Sequence, residues 1–199
     1  MESLFQLFSN IIIKNSYKII IIHILSDILL SNKRNQRIKN MKDVIFKKAV
    51  RDDIPLILSF IKELAEYQHL EDQMVATADS LERWMFDEER ADVIFCVYDG
   101  IEVGFAVYYK SFSTLLGKCS IHLEDLYVKP EYRRHGFGRA ILRKLAQITR
   151  DQGFERLEWC CLDWNKSSIA FYLSIGATPM DEWTTYRLSG ESLKKVIEG

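Results

Sequence analysis

From Met41 to the C-terminus, apolar residues alternate between two spacings, and this alternation constrains the fold more than any other feature of the sequence. Apolar residues at every second position are typical of half-buried strands, whereas a spacing of about 3.6 residues is typical of amphipathic helices. Segments of the two kinds follow one another along the chain without an internal repeat. We therefore predict one mixed α/β domain over residues 41–199, long enough to bury a hydrophobic core.

The individual elements follow from these spacings and from local capping residues. Strands are predicted at 44–49, 93–98, 102–109, 120–128, 157–161 and 183–188. A first helix is predicted to begin at Asp52 or Asp53, just before Pro55, and further helices at 79–87, 137–152, 167–175 and 189–197. The dipeptide Asp99-Gly100 is typical of a two-residue hairpin turn, and residues 111–118 are predicted to form a loop.

The first forty residues differ in composition from the rest of the chain. They contain ten Ile and five Asn but no Gly, Pro or Ala, and they carry a net charge of +4 against −5 for the remainder. The longest uncharged run, residues 3–13, is shorter than the roughly 20 apolar residues that span a bilayer, and no signal-peptide cleavage site follows. Residues 1–40 are therefore interpreted either as a surface-seeking amphipathic helix or as sequence translated upstream of a start at Met41.

Charge and cysteine content exclude several classes of function. The chain has 27 basic and 28 acidic residues, so no basic excess indicates a nucleic-acid partner. The four cysteines, Cys96, Cys119, Cys160 and Cys161, lack the spacing of a metal site. We therefore predict that the chain binds no metal and that its thiols are unpaired. We also predict a reducing, cytoplasmic location. Cys160 and Cys161 are expected to be buried in a strand.

A turn with two glycines connects the strand ending at Val128 to the helix predicted at 137–152. It reads Arg133-Arg-His-Gly136-Phe-Gly138. Such glycines allow a tight fold that exposes N–H groups at the positive end of the next helix, where a pyrophosphate can bind. The dinucleotide fingerprint GxGxxG is not satisfied, because position 141 is Ile. Taken alone, this turn is also compatible with an ordinary connection.

The pattern Arg133-x-x-Gly136-x-Gly138 resembles the acetyl-CoA motif of the GNAT acetyltransferase superfamily, and the order of strands and helices is similar to theirs. The run KELAEY at 62–67, the triplet Leu123-Glu-Asp125, and Asp163-Trp-Asn165 ahead of Phe171-Tyr172 resemble the diamine (spermidine/spermine) and thialysine N-acetyltransferases. The resemblance implies an α/β (α+β) fold with a twisted, mixed, mostly antiparallel sheet. Helices would flank this sheet, and its central strands would splay apart. It also implies acetyl-CoA as co-substrate and a homodimer.

The resemblance assigns catalytic roles to Glu124 and Tyr172. At neutral pH, freeing the lone pair of an alkylamine of pKa ~10.4 costs about 4–5 kcal/mol, so a nearby carboxylate such as Glu124 helps by accepting the proton. The leaving thiolate has a pKa near ~8.5, and a phenol such as Tyr172 can protonate it. In isolation, Glu124 could instead form a salt bridge and Tyr172 could belong to the core. A period of two places His122 and Glu124 on one face and Asp125 on the other.

The resemblance also implies which residues contact the cofactor and the amine. The cofactor contacts are Leu126, Tyr127, Val128, Arg133, Arg134, His135, Gly136, Phe137, Gly138, Arg139, Asn165 and Ser168. The N–H groups of Leu126 and Val128 would bind the acetyl carbonyl and the pantetheine amides, whereas Arg134 and Arg139 are either phosphate ligands or solvated cations. Tyr67, Glu124 and Asp125 are implied at the amine site.

The chain departs from the polyamine enzymes at Gln68, Ser113 and Leu115, where they carry an acidic residue, an Asp and a Trp. We therefore expect an N-acetyltransferase for a small cationic primary amine, either thialysine- or lysine-like or a diamine or polyamine. Neither a nucleic-acid partner nor stable membrane insertion is expected. The alternatives are a protein or peptide N-acetyltransferase, with an open groove near Tyr67, and a non-catalytic acyl-CoA-binding sensor.

Overall fold

The computed structural model describes residues 43–199, and the sequence-based predictions for residues 1–40 lie outside them. These residues divide into two compact units, the first ending at Trp159 and the second comprising Cys160–Gly199. Each unit is described by itself. Within 43–199, no helix is long and apolar enough to cross a membrane.

The first unit contains a five-stranded sheet in the order β1-β2-β3-β4-β5. Its strands are β1 (Ile45–Lys48), β2 (Asp92–Tyr98), β3 (Ile101–Ser113), β4 (Lys118–Val128) and β5 (Leu157–Trp159). Neighbouring strands run antiparallel from β1 to β4, whereas β4 and β5 are parallel. The predicted mixed, mostly antiparallel sheet is confirmed.

Three helices pack against this sheet. They are α1 (Ile54–Gln68), α2 (Ala78–Leu81), which continues into a π-helix at Glu82–Asp87, and α3 (Phe137–Asp151). The first helix begins after Asp53 with Pro55 in its first turn, as predicted. The predicted helices at 79–87 and 137–152 are confirmed to within one residue at each end.

The core lies on both faces of the sheet. On one face, Phe60 of α1 contacts Phe95 and Phe105, with ring centroids 5.9 and 5.0 Å apart. On the other face, Phe137 of α3 lies 5.3 Å from the ring of Tyr98. Residues 93–98 of β2 are all buried, so their side chains fill both layers.

Two turns connect the antiparallel strands. Asp99 and Gly100 have φ values of 53° and 74°, the conformation of a two-residue hairpin turn, so this prediction is confirmed. The predicted loop at 111–118 is shorter than expected, because Ser111 pairs with Ser120 and Ser113 with Lys118. Backbone pairing continues there although the side chains are polar, and only residues 114–117 form the turn.

The second unit contains α4 (Lys166–Ser174) and α5 (Glu191–Glu198). The predicted strand at 183–188 is wrong: no strand forms there, and Trp183 and Tyr186 are 73% and 91% exposed. Its apolar residues do not alternate strictly, and a strand also requires a paired neighbour that local spacing does not specify. The strand predicted at 157–161 ends at Trp159, so Cys160 is exposed rather than buried. All four cysteines are free thiols.

Candidate active site

Strand β4 contains a bulge at Glu124. In its register with β3, Leu123 lies opposite Tyr108 and Asp125 lies opposite Val107, so Glu124 is the extra residue. A bulge re-aims side chains and is common beside active sites. The Glu124 side chain is 58% exposed, and its Oε2 lies 3.9 Å from Nε2 of His122. This contact agrees with the prediction that His122 and Glu124 project from the same face of the strand.

The bulge also changes the direction of Asp125. His122 pairs with Tyr109 and Asp125 with Val107, and residues directly opposite each other share a face of the sheet. Tyr109 and Val107 are two positions apart, so His122 and Asp125 project from the same face. The prediction that Asp125 points away from His122 is wrong, because counting by two fails across an extra residue.

Asp125 has an unusual titration. Burial of its carboxyl group, and secondarily the neighbouring negative charge of Glu124, raises its pKa from 3.8 to about 6. A carboxyl group with this pKa is ionised at neutral pH, yet it holds a proton more readily than an ordinary aspartate. The adjacent pair Glu124–Asp125 thus places two carboxylates, one exposed and one half-buried, at the bulge.

Strands β4 and β5 separate immediately beside this bulge. They pair only at Ile121, His122 and Leu123, because β5 ends at Trp159 whereas β4 continues to Val128. The splay expected at the central strands stays a prediction. The Lys129 N–H, directly after β4, donates a hydrogen bond to the Val103 carbonyl of β3 at 3.0 Å. Because successive N–H groups alternate in direction, those of Leu126 and Val128 point away from β3.

The glycine turn leaves donors at the start of α3. Its N-cap is Gly136, at φ 91°, which has no side chain to cap the helix, so first-turn N–H groups remain available. A carbon atom added to Gly138 would meet no atom within 4 Å in the part of the chain that the structure describes. Arg134, at φ 65°, and Arg139 are exposed beside it, and His135 is half-buried. This arrangement suits a diphosphate.

Two residues expected to contact the cofactor have side chains committed to the core. Tyr127 is 5% exposed and lies edge-on to Phe60, at 6.3 Å. Phe137 is 1% exposed and packs between Tyr98 and Tyr132. Only the backbone of these two residues could therefore face a ligand.

Arg133 makes contacts that sequence reasoning missed. Its Nε donates to the Val128 carbonyl at 2.9 Å. Its guanidinium carbon lies 4.5 Å from the ring centroid of Tyr67 and 5.2 Å from that of Tyr127. No sequence pattern could have shown this, since Tyr67 and Arg133 are distant in the chain.

In the second unit, Asn165 is the N-cap of α4. Its Oδ1 accepts hydrogen bonds from the Ser168 N–H and the Ser167 hydroxyl, both at 3.2 Å. Asn165 and Ser168 are both expected to contact the cofactor, and these two of their groups are engaged in the cap. Tyr172 is half-buried on α4, with its ring 5.4 Å from that of Phe171. Glu124 and Tyr172 belong to different units.

The mixed, mostly antiparallel sheet and the glycine turn at the N-terminus of α3 agree with the acetyltransferase fold that the sequence resemblance implied. The chain belongs to the acetyltransferase (GNAT) family, whose sequence model matches residues 57–177. Within 43–199, no three His, Cys, Asp or Glu side chains form a group that could hold a metal ion.

Similar proteins place the chain further within this family. It is 36% identical over 162 residues to the thialysine N-epsilon-acetyltransferase of Caenorhabditis elegans, covering 79% of this chain and 99% of that protein. It is 32% identical over 154 residues to the human spermidine/spermine N(1)-acetyltransferase-like protein 1, covering 71% and 22% of the two chains. An integron cassette protein from the mobile metagenome of V. cholerae matches with a TM-score of 0.67 and 28% identity, covering 79% and 99%. The protein is accordingly an N-acetyltransferase that acts on an amine.

Proposed function

We propose that this enzyme transfers the acetyl group of acetyl-CoA to the primary amine of a small cationic substrate, either thialysine- or lysine-like or a diamine or polyamine. The observation that carries the proposal is the carboxylate pair Glu124–Asp125 at the bulge where β4 leaves β5. Two adjacent carboxylates at an open strand edge attract an ammonium group to the place where the thioester would lie.

The choice of amine rests on the relatives and on charge. Four relatives that are 30–36% identical bear the name thialysine N-epsilon-acetyltransferase. Gln68 and Ser113 replace acidic residues of the polyamine enzymes, and each lost carboxylate removes an attraction for a distant ammonium group. We therefore rank a lysine-like amine above a long polyamine.

The cofactor would be held mainly by backbone groups. The first-turn N–H groups of α3 and the exposed cations Arg134 and Arg139 would bind the diphosphate. The N–H groups of Leu126 and Val128 would bind the acetyl carbonyl and the pantetheine amides. The family resemblance adds His135, Asn165 and Ser168 to the proposed cofactor contacts.

The proposed reaction is a direct transfer. Glu124 takes a proton from the ammonium group, directly or through water, and the freed nitrogen attacks the carbonyl carbon of the thioester. The C–N bond forms, the C–S bond breaks, and the Tyr172 hydroxyl gives its proton to the leaving thiolate. Asp125 holds the substrate cation. The proposal includes a homodimer and a cytoplasmic location.

The test is release of free thiol from acetyl-CoA by the full chain in the presence of thialysine, lysine, putrescine, spermidine and a lysine-containing peptide. We expect thialysine or lysine to give the highest kcat/KM. The Glu124→Gln variant should lose most of this activity, whereas Glu131→Gln, which changes an exposed carboxylate outside the site, should keep it.

Two results would contradict the proposal. Acetylation of the peptide alone would indicate a protein N-acetyltransferase. Binding of acetyl-CoA without thiol release for any amine would indicate a sensor.

A further inference from the structure

Tyr67 lies near the C-terminal end of α1 and is half-buried. The family resemblance places it beside the amine, where an aromatic ring face can attract an ammonium group. In this structure, however, that ring already faces a cation of the protein, because the Arg133 guanidinium lies 4.5 Å from its centroid. This distance is within the about 6 Å over which a cation–π attraction acts.

Arg133 is anchored on three sides. Its Nε donates to the Val128 carbonyl, at the end of β4, and its guanidinium also lies over the ring of Tyr127. Tyr127 has a raised pKa, chiefly because of burial and then because of the Glu63 carboxylate, while Arg133 acts in the opposite direction. Glu63, whose carboxylate acts on Tyr127, belongs to α1, as does Tyr67. Because the Arg133 guanidinium lies over the Tyr67 ring and its Nε donates to the Val128 carbonyl, Arg133 connects α1 to the end of β4.

Arg133 is also the first residue of the glycine turn. Its backbone leads directly into Arg134, which has the uncommon φ of 65°, and then into Gly136 at the N-cap of α3. A displacement of Arg133 would therefore shift the N–H groups that follow it. Preorganised donors bind a ligand more tightly than donors that must first be ordered.

We infer that Tyr67 is a positioning residue for the cofactor: its ring holds Arg133 and thereby fixes the turn 133–138, and this ring face does not receive the substrate amine. A second cation on the same face would be repelled by the guanidinium. The inference rests on the proposed use of acetyl-CoA. It separates the contribution of Tyr67 from that of the carboxylates at the β4 bulge, which remain the groups that attract the amine.

The test compares Tyr67→Leu, Tyr67→Phe and Arg133→Gln in the full chain, using calorimetry for the Kd of CoA and steady-state kinetics for both KM values. We expect Tyr67→Leu to raise the Kd of CoA and the KM of acetyl-CoA by about fivefold or more, with the KM of the amine changed less than about twofold. Tyr67→Phe should retain most of the CoA affinity that Tyr67→Leu loses, because it keeps the ring face. Arg143→Gln, an exposed cation on α3, is the matched control for Arg133→Gln.

A double variant provides the decisive comparison. If Tyr67 acts through Arg133, combining Tyr67→Leu with Arg133→Gln should weaken CoA binding little more than Arg133→Gln alone. Should Tyr67→Leu not fold, Tyr67→Met replaces it with a side chain of similar reach and no ring.

Three outcomes would overturn the inference. The first is a raised KM for the amine with an unchanged Kd for CoA, and the second is strictly additive losses in the double variant. The third, failure of the unmodified chain to bind CoA, would overturn the proposed function as well, whereas the first two leave the proposed function standing.

Discussion

Glu124 and Asp125 are neighbours in sequence but differ in their surroundings. Glu124 is exposed, whereas the half-buried Asp125 has a pKa of about 6. The cause is local: desolvation disfavours the charged form of Asp125, and the Glu124 charge adds to that effect. Environment thus differentiates two chemically similar groups, because the Glu124 side chain is exposed and the Asp125 carboxyl group is partly desolvated.

The raised pKa of Asp125 predicts a pH-dependent stability. Between about pH 4 and about pH 6 the folded protein binds a proton that the unfolded chain has released, so the free energy of unfolding falls as pH rises through this range. Asp125→Asn removes the titrating carboxyl group and therefore this fall in the free energy of unfolding. We expect the variant to gain at most about 3 kcal/mol at pH 7 and little at pH 4, measured by urea unfolding.

Glu131→Gln, which changes an exposed carboxylate outside the bulge, is the matched control and is measured at the same two pH values. An equal effect of Asp125→Asn at both pH values would contradict the assignment.

The two catalytic assignments make a second prediction at the residue scale. Glu124→Gln and Tyr172→Phe should each lower kcat by about 10²- to 10⁴-fold, because each removes one proton transfer. Neither change should alter the Kd of CoA by calorimetry. Turnover that is unchanged in both variants would remove both assignments.

At the scale of elements, local signals predicted most of the helices and strands. Pro55 predicted the start of α1, and Asp99-Gly100 predicted the hairpin, because first-turn prolines and turn chemistry depend on adjacent residues. The expected cap by an Asp side chain does not form, since the Asp53 carboxylate accepts a hydrogen bond from the Val50 N–H instead. The bulge at Glu124 could not be predicted, since an extra residue in a strand exists only relative to its partner. The strand predicted at 183–188 did not form for a related reason: spacing alone does not provide a partner.

In the candidate site, too, features encoded by adjacent residues could be predicted, whereas contacts between distant residues could not. Gly136 and Gly138 identified the glycine turn in the sequence, because a local motif depends only on adjacent residues. Of the two, only Gly136 has a positive φ, of 91°, whereas Gly138 lies in the first turn of α3. The contact between Tyr67 and Arg133 depends on tertiary folding, so no local pattern contained it.

Gly104 shows how closely β3 and β4 approach, and it supplies a prediction for these elements. A Cβ at this position would lie 2.6 Å from the Tyr127 carbonyl oxygen and 3.3 Å from a methyl group of Ile141. We expect Gly104→Ala to lower the free energy of unfolding by about 1–3 kcal/mol, because backbone and core must shift together. Denaturant unfolding measures this change.

Gly138→Ala is the matched comparison, because the added carbon would meet no described atom within 4 Å. Its stability should stay unchanged or rise by up to about 1 kcal/mol, because alanine loses less backbone entropy than glycine in a helix. Equal destabilisation by the two substitutions would contradict the role given to the close strand approach.

At the scale of the whole molecule, this chain is longer than the part of it that aligns with its thialysine N-epsilon-acetyltransferase relatives. The match to the Caenorhabditis elegans enzyme uses 79% of this chain and 99% of that protein, so about a fifth of this chain has no counterpart there. The family match begins at residue 57. Every buried apolar residue of the described core lies at or after Ala49.

We therefore propose that residues 1–40 are dispensable for acetyl transfer, and we predict that a chain beginning at Met41 keeps its kcat/KM within about twofold. The reason is that all proposed contacts to acetyl-CoA and to the amine lie between Tyr67 and Tyr172. Removing residues 1–40 takes away six basic and two acidic residues, so the remaining chain has a net charge of −5. At low salt it should therefore attract a cationic amine at least as well as the full chain does. Thiol release at two ionic strengths, with the full chain measured in parallel, tests this. A chain from Met41 that folds, binds CoA and yet fails to acetylate any amine would show that residues 1–40 are needed for the active site.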